Sequence, residues 1–217
     1  MRVRPASKKT LIAGALAAIL LAVGFTWLVA EVLAGHFQEF DRDARDTIHA
    51  LSTPALTHVM VTVSTLGSAW ALFPIGVLVV VLYLRRGNKH SAVLLIVAMA
   101  GALPIERGLK VAFQRPRPNP FFDYPIPNTY SLPSGHALFS VVFFGMLAAL
   151  VSPALSSLWK KVLLWIVAAI PPVVIGFSRI YLGVHYATDV IAGYTAAVVW
   201  VLALVIGWSV TRRVQPT

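Results

Sequence analysis

The sequence has no cysteine and little charge, since only 12% of its 217 residues are Asp, Glu, Lys or Arg. The absence of cysteine excludes a disulfide framework and a thiolate metal site. The charged fraction is well below the roughly 25% found in soluble globular domains, which argues against a soluble protein. Hydrophobic residues make up 58% of the chain instead. We therefore expect a membrane protein that forms a single domain over residues 1–217.

Six apolar runs are separated by polar stretches, and a helix that crosses a bilayer needs about 20 such residues. The runs cover residues 11–33, 69–84, 91–112, 136–151, 162–177 and 190–210. Between the first two, residues 36–66 combine charge with apolar residues at helical spacing, and we interpret them as an amphipathic segment that lies on the outer surface and then dips inward. The prolines of residues 113–134 predict an extended loop. The predicted fold class is an all-α polytopic membrane protein with six transmembrane helices.

Acidic residues are also few, and the two signs of charge are separated. The chain has 18 Lys and Arg against 8 Asp and Glu, a net charge of +10. If the six runs alternate in direction, all the acidic residues fall on one side and most basic residues on the other. These basic residues are Arg2, Arg4, Lys8, Lys9, Arg85, Arg86, Lys89, Lys160, Lys161, Arg212 and Arg213. By the positive-inside rule both termini are cytoplasmic, so the basic excess indicates orientation and not nucleic-acid binding.

The first apolar run also resembles a cleaved signal peptide, because Arg2 to Lys9 form a basic segment before it and residues 32–34 resemble a cleavage site. The apolar core of a signal peptide usually has about 7–15 residues. The run from Leu11 to Leu33 is longer, and we favour a retained membrane anchor.

Polar residues that a membrane protein would not keep without reason are concentrated in residues 110–118, 133–136 and 178–189. Each segment lies where a predicted span meets the outer surface. The cations Lys110, Arg117 and Arg179 are suited to binding the oxygens of a phosphate dianion. Donors from Ser134 and Gly135, at the start of a helix, add to this preference. The three segments therefore predict an anion-binding site.

The same segments contain two histidines and a carboxylate that are suited to catalysis. His185 and Asp189 are four residues apart and share one face of a helix. Asp189 can therefore accept a hydrogen bond from the N–H of one ring nitrogen, which leaves the other nitrogen with a lone pair as a nucleophile. His136 is suited to protonating a leaving oxygen near neutral pH. Together these residues predict phosphoryl transfer through the His185 ring.

Three ordered motifs carry a family resemblance. They are Lys110-Val-Ala-Phe-Gln-Arg-Pro-Arg-Pro118, Pro133-Ser-Gly-His136 and Ser178-Arg-Ile-Tyr-Leu-Gly-Val-His-Tyr-Ala-Thr-Asp189. In order and spacing they resemble the motifs of the type 2 phosphatidic acid phosphatase (PAP2) family, in its membrane lipid phosphatase branch. The resemblance extends from residue 55, approximately, to the end of the chain.

The resemblance implies a role for each residue singled out above. His185 is the nucleophile that forms a phosphohistidine, His136 is the general acid, and Asp189 orients His185. The residues implied in phosphate binding are Lys110, Arg117, Ser134, Gly135 and Arg179. The family requires no metal or other cofactor, and the motifs lack the clustered carboxylates that Mg²⁺ would need. The expected enzyme is a metal-independent phosphatase.

Several neighbouring residues are interpreted as non-catalytic. The family spacing selects the second of two Arg-Pro pairs, and we expect Arg115, in the first pair, to contact solvent or lipid headgroups. Glu106 is expected to pair with Lys110 across one helical turn. The histidines with no partner at helical spacing are interpreted as ordinary interfacial residues, and these are His36, His49 and His58.

The expected function is removal of a phosphate from a lipid at the periplasmic or extracellular face of a bacterial plasma membrane. Undecaprenyl diphosphate and phosphatidylglycerol phosphate are the favoured substrates, followed by phosphatidate and diacylglycerol pyrophosphate. The expected partners are a phospholipid or polyprenyl phosphate substrate and the surrounding lipids, without nucleic acid.

Two other functions are compatible with the same residues. One is a phosphotransferase, or a phosphatase for a soluble phosphate ester, because only the acceptor or the pocket would differ. The other is a protein that binds or moves phosphorylated lipid without hydrolysis, although binding alone would not need the nucleophile at His185. Vanadate-dependent haloperoxidases share a similar oxyanion site, but they are soluble proteins and the composition excludes them.

Overall fold

The computed structural model describes residues 8–125 and 128–214, and the regular structure in these ranges is helical, without a β-strand. The helices are α1 Lys8–Leu33, α2 Gln38–His49, α3 Pro54–Leu66, α4 Ala69–Arg85, α5 Lys89–Phe113, α6 Gly135–Val151, α7 Leu158–Tyr181 and α8 Ala187–Val214, with a short 3₁₀ turn at Ser152–Ala154. The six predicted runs correspond to α1 and α4 to α8, with ends that agree to within about one helical turn. The all-α fold is therefore confirmed.

Five of the described helices, α1 and α5 to α8, are long and apolar enough to cross a membrane. Helices α3 and α4 meet this condition only as a pair, bent by 50° at the break between them, so the count is six if the pair forms one span. Large apolar side chains such as Leu20, Trp70 and Ile166 are exposed on the outside of the bundle. A surface of this kind is stable against lipid and not against water, and the protein is an integral membrane protein.

The segment 36–66 forms two helices and not one. Helix α2 is strongly polar, whereas α3 packs against α7 and continues through a turn at Gly67–Ser68 into α4. Side-chain caps define these boundaries, since the Thr53 hydroxyl accepts the Leu56 N–H and the Ser68 hydroxyl accepts the Ala71 N–H. The position of the segment 36–66 on the outer surface of the membrane stays a prediction.

Helix α6 lies at the centre of the bundle and packs against α4, α5, α7 and α8, while α1 lies along α8. Leu95 of α5, Leu138 and Met146 of α6 and Ala197 of α8 are fully buried in this core. The C-terminal ends of α5 and α7 therefore meet the N-terminal ends of α6 and α8 at one end of the bundle. All three sequence motifs lie at that end.

Two glycines allow the close approach of backbone that this end requires. Gly193 brings α8 against the start of α6, where an added Cβ would lie 2.7 Å from the Ser134 carbonyl oxygen. Gly183, in the turn between α7 and α8, has φ +72°, and its Cβ would lie 2.7 Å from the Phe121 nitrogen. That nitrogen donates to the Leu182 carbonyl at 2.9 Å, which attaches the loop 114–134 to the turn before His185.

Candidate active site

The structure brings all eight predicted site residues to one end of the bundle. Lys110 lies near the end of α5, Arg117 in the following loop, Ser134, Gly135 and His136 at the start of α6, Arg179 near the end of α7, and His185 and Asp189 at the start of α8. The His136 ring lies within electrostatic range of the Arg179, Arg117 and Lys110 cations and of the His185 ring. Residues separated by up to about eighty positions thus form one site.

His185 is buried between a carboxylate and a guanidinium. Its Nδ1 lies 3.3 Å from Asp189 Oδ2, and its Nε2 lies 3.0 Å from Arg117 Nη1. Since a carboxylate only accepts and a guanidinium only donates, these partners select the tautomer with a proton on Nδ1 and a lone pair on Nε2. Nε2 is therefore the ring nitrogen suited to nucleophilic attack.

Burial lowers the pKa of His185 to about 3. The hydrogen bond to Asp189 opposes this shift, and the Arg117 cation reinforces it. A lowered pKa is what a nucleophilic histidine needs, because the ring then stays neutral and keeps its Nε2 lone pair throughout the neutral pH range.

Asp189 is fully buried and accepts hydrogen bonds on both oxygens. Oδ1 accepts from Arg115 Nη1 at 2.6 Å, while Oδ2 accepts from the Ser131 hydroxyl and from the Tyr186 N–H at 2.9 Å, in addition to His185. The bond to Tyr186 also caps the start of α8, as a side chain at the third helical position commonly does. Orientation of the histidine and capping of the helix therefore coexist in one residue.

Each of the three predicted phosphate-binding cations is held by groups around it. Arg117 donates through Nε and Nη2 to Thr129, at 2.8 and 3.1 Å. Lys110 donates to the Tyr130 carbonyl at 2.5 Å and pairs with Glu106 at 3.5 Å, as expected from their spacing.

Arg179 is 2% exposed and donates to the Ser64 hydroxyl of α3, with the Tyr124 ring 5.6 Å away. Its Nε is buried and has no hydrogen-bond partner in the described part of the chain. Buried donors of this kind are suited to an anion.

Ser134 and Gly135 lie at the start of α6, where the sequence predicted donors to phosphate. The Ser134 N–H donates to the Asp189 carbonyl oxygen at 2.9 Å, so this amide is not free to bind phosphate, and the hydroxyl is the donor left from that residue. The hydroxyl is buried and makes no hydrogen bond within residues 8–125 and 128–214. An added Cβ at Gly135 would lie 2.9 Å from Glu106 Oε1, so the Glu106 carboxylate lies against the start of α6.

The charge of the site is positive, and its ligand set does not resemble a metal centre. No group of three His, Asp or Glu side chains in the described ranges is placed to hold a metal ion. Three cations, the start of α6 and a neutral imidazole whose lone pair faces Arg117 instead lie together at one end of the bundle. This arrangement can bind a tetrahedral dianion and attack it.

The same three segments lie within a family match. Residues 91–213 match the model of the PAP2 superfamily. This range contains all three motifs and makes up more than half of the chain. The protein belongs to the PAP2 superfamily. It is a phosphatase of a family that works without a metal.

Curated PAP2 relatives have related names. The chain is 28% identical over 179 residues to phosphatidylglycerophosphatase B of Bacillus subtilis (strain 168), covering 82% of this chain and 87% of the relative. It is 30% identical over 144 residues to an undecaprenyl-diphosphatase of Sulfolobus acidocaldarius, covering 64% of each chain.

Solved PAP2 structures share the fold. A crystal structure of a transmembrane PAP2 type phosphatidylglycerolphosphate phosphatase from Bacillus subtilis matches with a TM-score of 0.80 and 26% identity, covering 91% of this chain and 97% of that one. The structure of Aquifex aeolicus LpxE matches with a TM-score of 0.52 and 22% identity over 76% of this chain and 94% of that one, and at this level shows the fold alone.

The expectation for Arg115 was wrong. Its side chain is only 11% exposed and pairs with two carboxylates, Asp189 at 2.6 Å and Asp41 at 2.7 Å. Burial lowers its pKa, but the two carboxylates outweigh burial and raise it, so the guanidinium stays charged. Ser131 and Thr188 belong to the same network and were also missed. The repeated Arg-Pro pair was a signal for Arg115, whereas Asp41 had none.

Proposed function

We propose that this PAP2 protein is a lipid phosphatase that hydrolyses a lipid phosphomonoester or diphosphate through a phosphohistidine on His185. The observation that carries the proposal is the pairing of His185 Nδ1 with Asp189, which leaves the Nε2 lone pair directed at Arg117. A protein that only binds phosphorylated lipid would need the cations but would not need this nucleophile.

In the first step the substrate phosphate replaces the His185 ring as the partner of Arg117 and is also bound by Arg179 and Lys110. Nε2 attacks phosphorus, the P–N bond forms, and the bond from phosphorus to the leaving oxygen breaks. Asp189 stabilises the positive charge that develops on the ring. The three cations neutralise the negative charge on the oxygens of the phosphoryl group that is transferred. Such electrostatic stabilisation is the main requirement of phosphoryl transfer.

We propose that His136 acts as the general acid in the first step and as the general base in the second. The negative charge of the bound phosphate stabilises the imidazolium form, which gives its proton to the leaving alkoxide, or to the leaving lipid phosphate when the substrate is a diphosphate. The neutral ring then takes a proton from water, the hydroxyl attacks phosphorus, and the P–N bond breaks. Inorganic phosphate leaves and both histidines return to their starting state.

A lipid substrate is supported by where the site lies. The exposed faces of the bundle are apolar, and the site is at one end of the helices that are long enough to cross a membrane. We propose that this end lies at the depth of the lipid headgroups. An amphiphile can place its phosphate among the cations while its tails remain in the bilayer. Because the named relatives are a phosphatidylglycerophosphatase and an undecaprenyl-diphosphatase, we propose phosphatidylglycerol phosphate and undecaprenyl diphosphate as the first substrates to test.

We further propose six spans, with α3 and α4 as one bent span and α2 at the outer surface. The basic residues Lys8, Arg85, Lys89 and Lys160 lie at the ends of helices opposite to the site. The positive-inside rule then makes that end cytoplasmic and the active site periplasmic or extracellular in the plasma membrane.

The proposal is tested with purified protein in detergent and in liposomes, by measuring phosphate release from these two lipids, phosphatidate and a soluble sugar phosphate. Lipid phosphates should be hydrolysed with a kcat/KM well above that of the sugar phosphate, and His185→Ala should be inactive on all of them. Equal or faster hydrolysis of the sugar phosphate would refute a lipid substrate. Wild-type activity of His185→Ala would refute the mechanism.

A further inference from the structure

Helix α2 lies before the residues that match the family, yet one of its side chains is buried at the active site. Asp41 is 1% exposed, whereas Glu39, Asp43 and Asp46 on the same helix are exposed. A buried carboxylate is unfavourable unless charged or polar partners surround it. The partners of Asp41 therefore indicate why it is there.

Asp41 contacts α8 and the loop after α5 through both of its oxygens. Oδ1 accepts from the Thr188 N–H at 3.0 Å, and Oδ2 accepts from the Thr188 hydroxyl and from Arg115 Nη2, both at 2.7 Å. Thr188 directly precedes Asp189 in the first turn of α8. One side chain of α2 thus fixes the backbone beside the catalytic carboxylate.

Arg115 connects the two carboxylates. Its Nη2 donates to Asp41, its Nη1 donates to Asp189 at 2.6 Å and to the Thr188 hydroxyl at 2.8 Å, and its guanidinium lies over the Tyr186 ring at 4.1 Å. The planar fork of arginine can bridge two acceptors in this way, and the point charge of lysine cannot. One guanidinium thus links the buried carboxylate of α2 to the carboxylate that faces His185.

We infer that Asp41 is a positioning residue for catalysis, acting from α2 through Arg115 on the Asp189–His185 pair. This inference rests on the proposed function, because it assigns Asp41 to the orientation of the phosphohistidine nucleophile. Asp41 touches neither the substrate phosphate nor the His185 ring. It fixes the guanidinium that holds Asp189 Oδ1, so that Oδ2 stays on His185 Nδ1.

The first test is Asp41→Asn, which keeps the size of the side chain and one acceptor oxygen but removes the charge that holds Arg115. The kcat for lipid phosphate should fall roughly 10- to 100-fold, as for other residues that orient a catalytic group, with little change in KM because no phosphate contact is lost. Asp43→Asn makes the same chemical change at an exposed position of α2 and should leave kcat unchanged.

The second test asks whether the effect passes through Arg115. Arg115→Lys keeps the charge but not the bridge, and its kcat should fall about as far as that of Asp41→Asn. Combining the two should cause little further loss, since both break one connection. A merely structural role would predict that the thermal stability falls without a selective loss of kcat.

The outcomes separate this inference from the proposed function. If wild-type protein is active and Asp41→Asn has the kcat of Asp43→Asn, or if its loss persists in full in the Arg115→Lys background, the positioning role is wrong while the function stands. If Asp41→Asn does not fold, a wild-type kcat for the folded Arg115→Lys variant would overturn the inference equally well. If wild-type protein releases no phosphate from any lipid, the proposed function itself fails.

Discussion

Replacing Asp189 with asparagine removes one negative charge from the site and almost no volume. The carboxylate accepts from His185, Ser131 and Tyr186 on Oδ2 and from Arg115 on Oδ1. An amide has only one accepting oxygen. The best orientation keeps that oxygen at the Oδ2 position and turns the NH₂ group toward Arg115, where two donors then face each other.

The magnitude follows from this loss. One hydrogen bond to a charged group contributes about 1.5–3 kcal/mol, so the free energy of unfolding should fall by that amount, since Asp41 still pairs with Arg115. The effect on kcat should be larger, about 10²- to 10⁴-fold, because the negative charge is needed most when the His185 ring becomes positive in the transition state. KM should change little by comparison.

The assay compares kcat, KM and thermal unfolding of wild type, Asp189→Asn and Asp46→Asn in the same detergent. Asp46 is exposed on α2 and provides the matched change of charge. A kcat for Asp189→Asn within about threefold of wild type would refute the reasoning that this carboxylate stabilises the charged ring.

The remaining predictions concern acid–base chemistry, pH, metal and orientation. His136→Ala should retain more activity on an aryl phosphate than on a lipid monoester, because a good leaving group needs little protonation; equal losses on both would argue against a general acid. In the unfolded chain His185 binds a proton near its ordinary pKa of about 6.5, whereas in the folded protein its pKa is lowered to about 3. The unfolded state therefore binds more protons between these values, and the free energy of unfolding should be lower by about 2 kcal/mol at pH 5 than at pH 7.5. His185→Gln should lack this part of the pH dependence of unfolding, and an unchanged dependence would contradict it. Phosphate release should persist in excess EDTA and be inhibited by vanadate, which can adopt the five-coordinate geometry of the transferring phosphorus; loss on chelation restored by Mg²⁺ would indicate another mechanism. A reporter fused after Thr217 should be cytoplasmic and a tag at Asp123 should be accessible from outside; a cytoplasmic Asp123 would overturn the orientation.

The helices and the three motifs could be predicted because their signals are local. Each apolar run determines its own helix, and the i, i+4 spacing of His185 and Asp189 places both on one helical face wherever α8 lies. The same is true of Glu106 and Lys110, which pair as their spacing indicates. The break between α3 and α4 was marked by Gly67–Ser68, but nothing in the apolar pattern indicated the 50° bend between the two helices.

The rest of the site depends on contacts between distant parts of the chain. Arg115 pairs with carboxylates 74 residues away in both directions along the sequence, and Asp41 contacts Thr188 across 147 residues. No periodicity or spacing in one sequence encodes such pairs. Four acids in a polar helix look alike until packing buries one of them. The spacing that selects Arg117 likewise does not show that Arg115, two residues earlier, is buried between two carboxylates.

The most direct test of the central claim is to trap the covalent intermediate. Purified wild-type protein is mixed with lipid substrate carrying radioactive phosphorus, quenched within milliseconds, and digested to locate the label. Acid-labile, alkali-stable label should be found on the peptide that contains His185, it should decay at a rate compatible with kcat, and it should be absent from His185→Ala. Label that formed on His185→Ala as readily as on wild type would contradict the account.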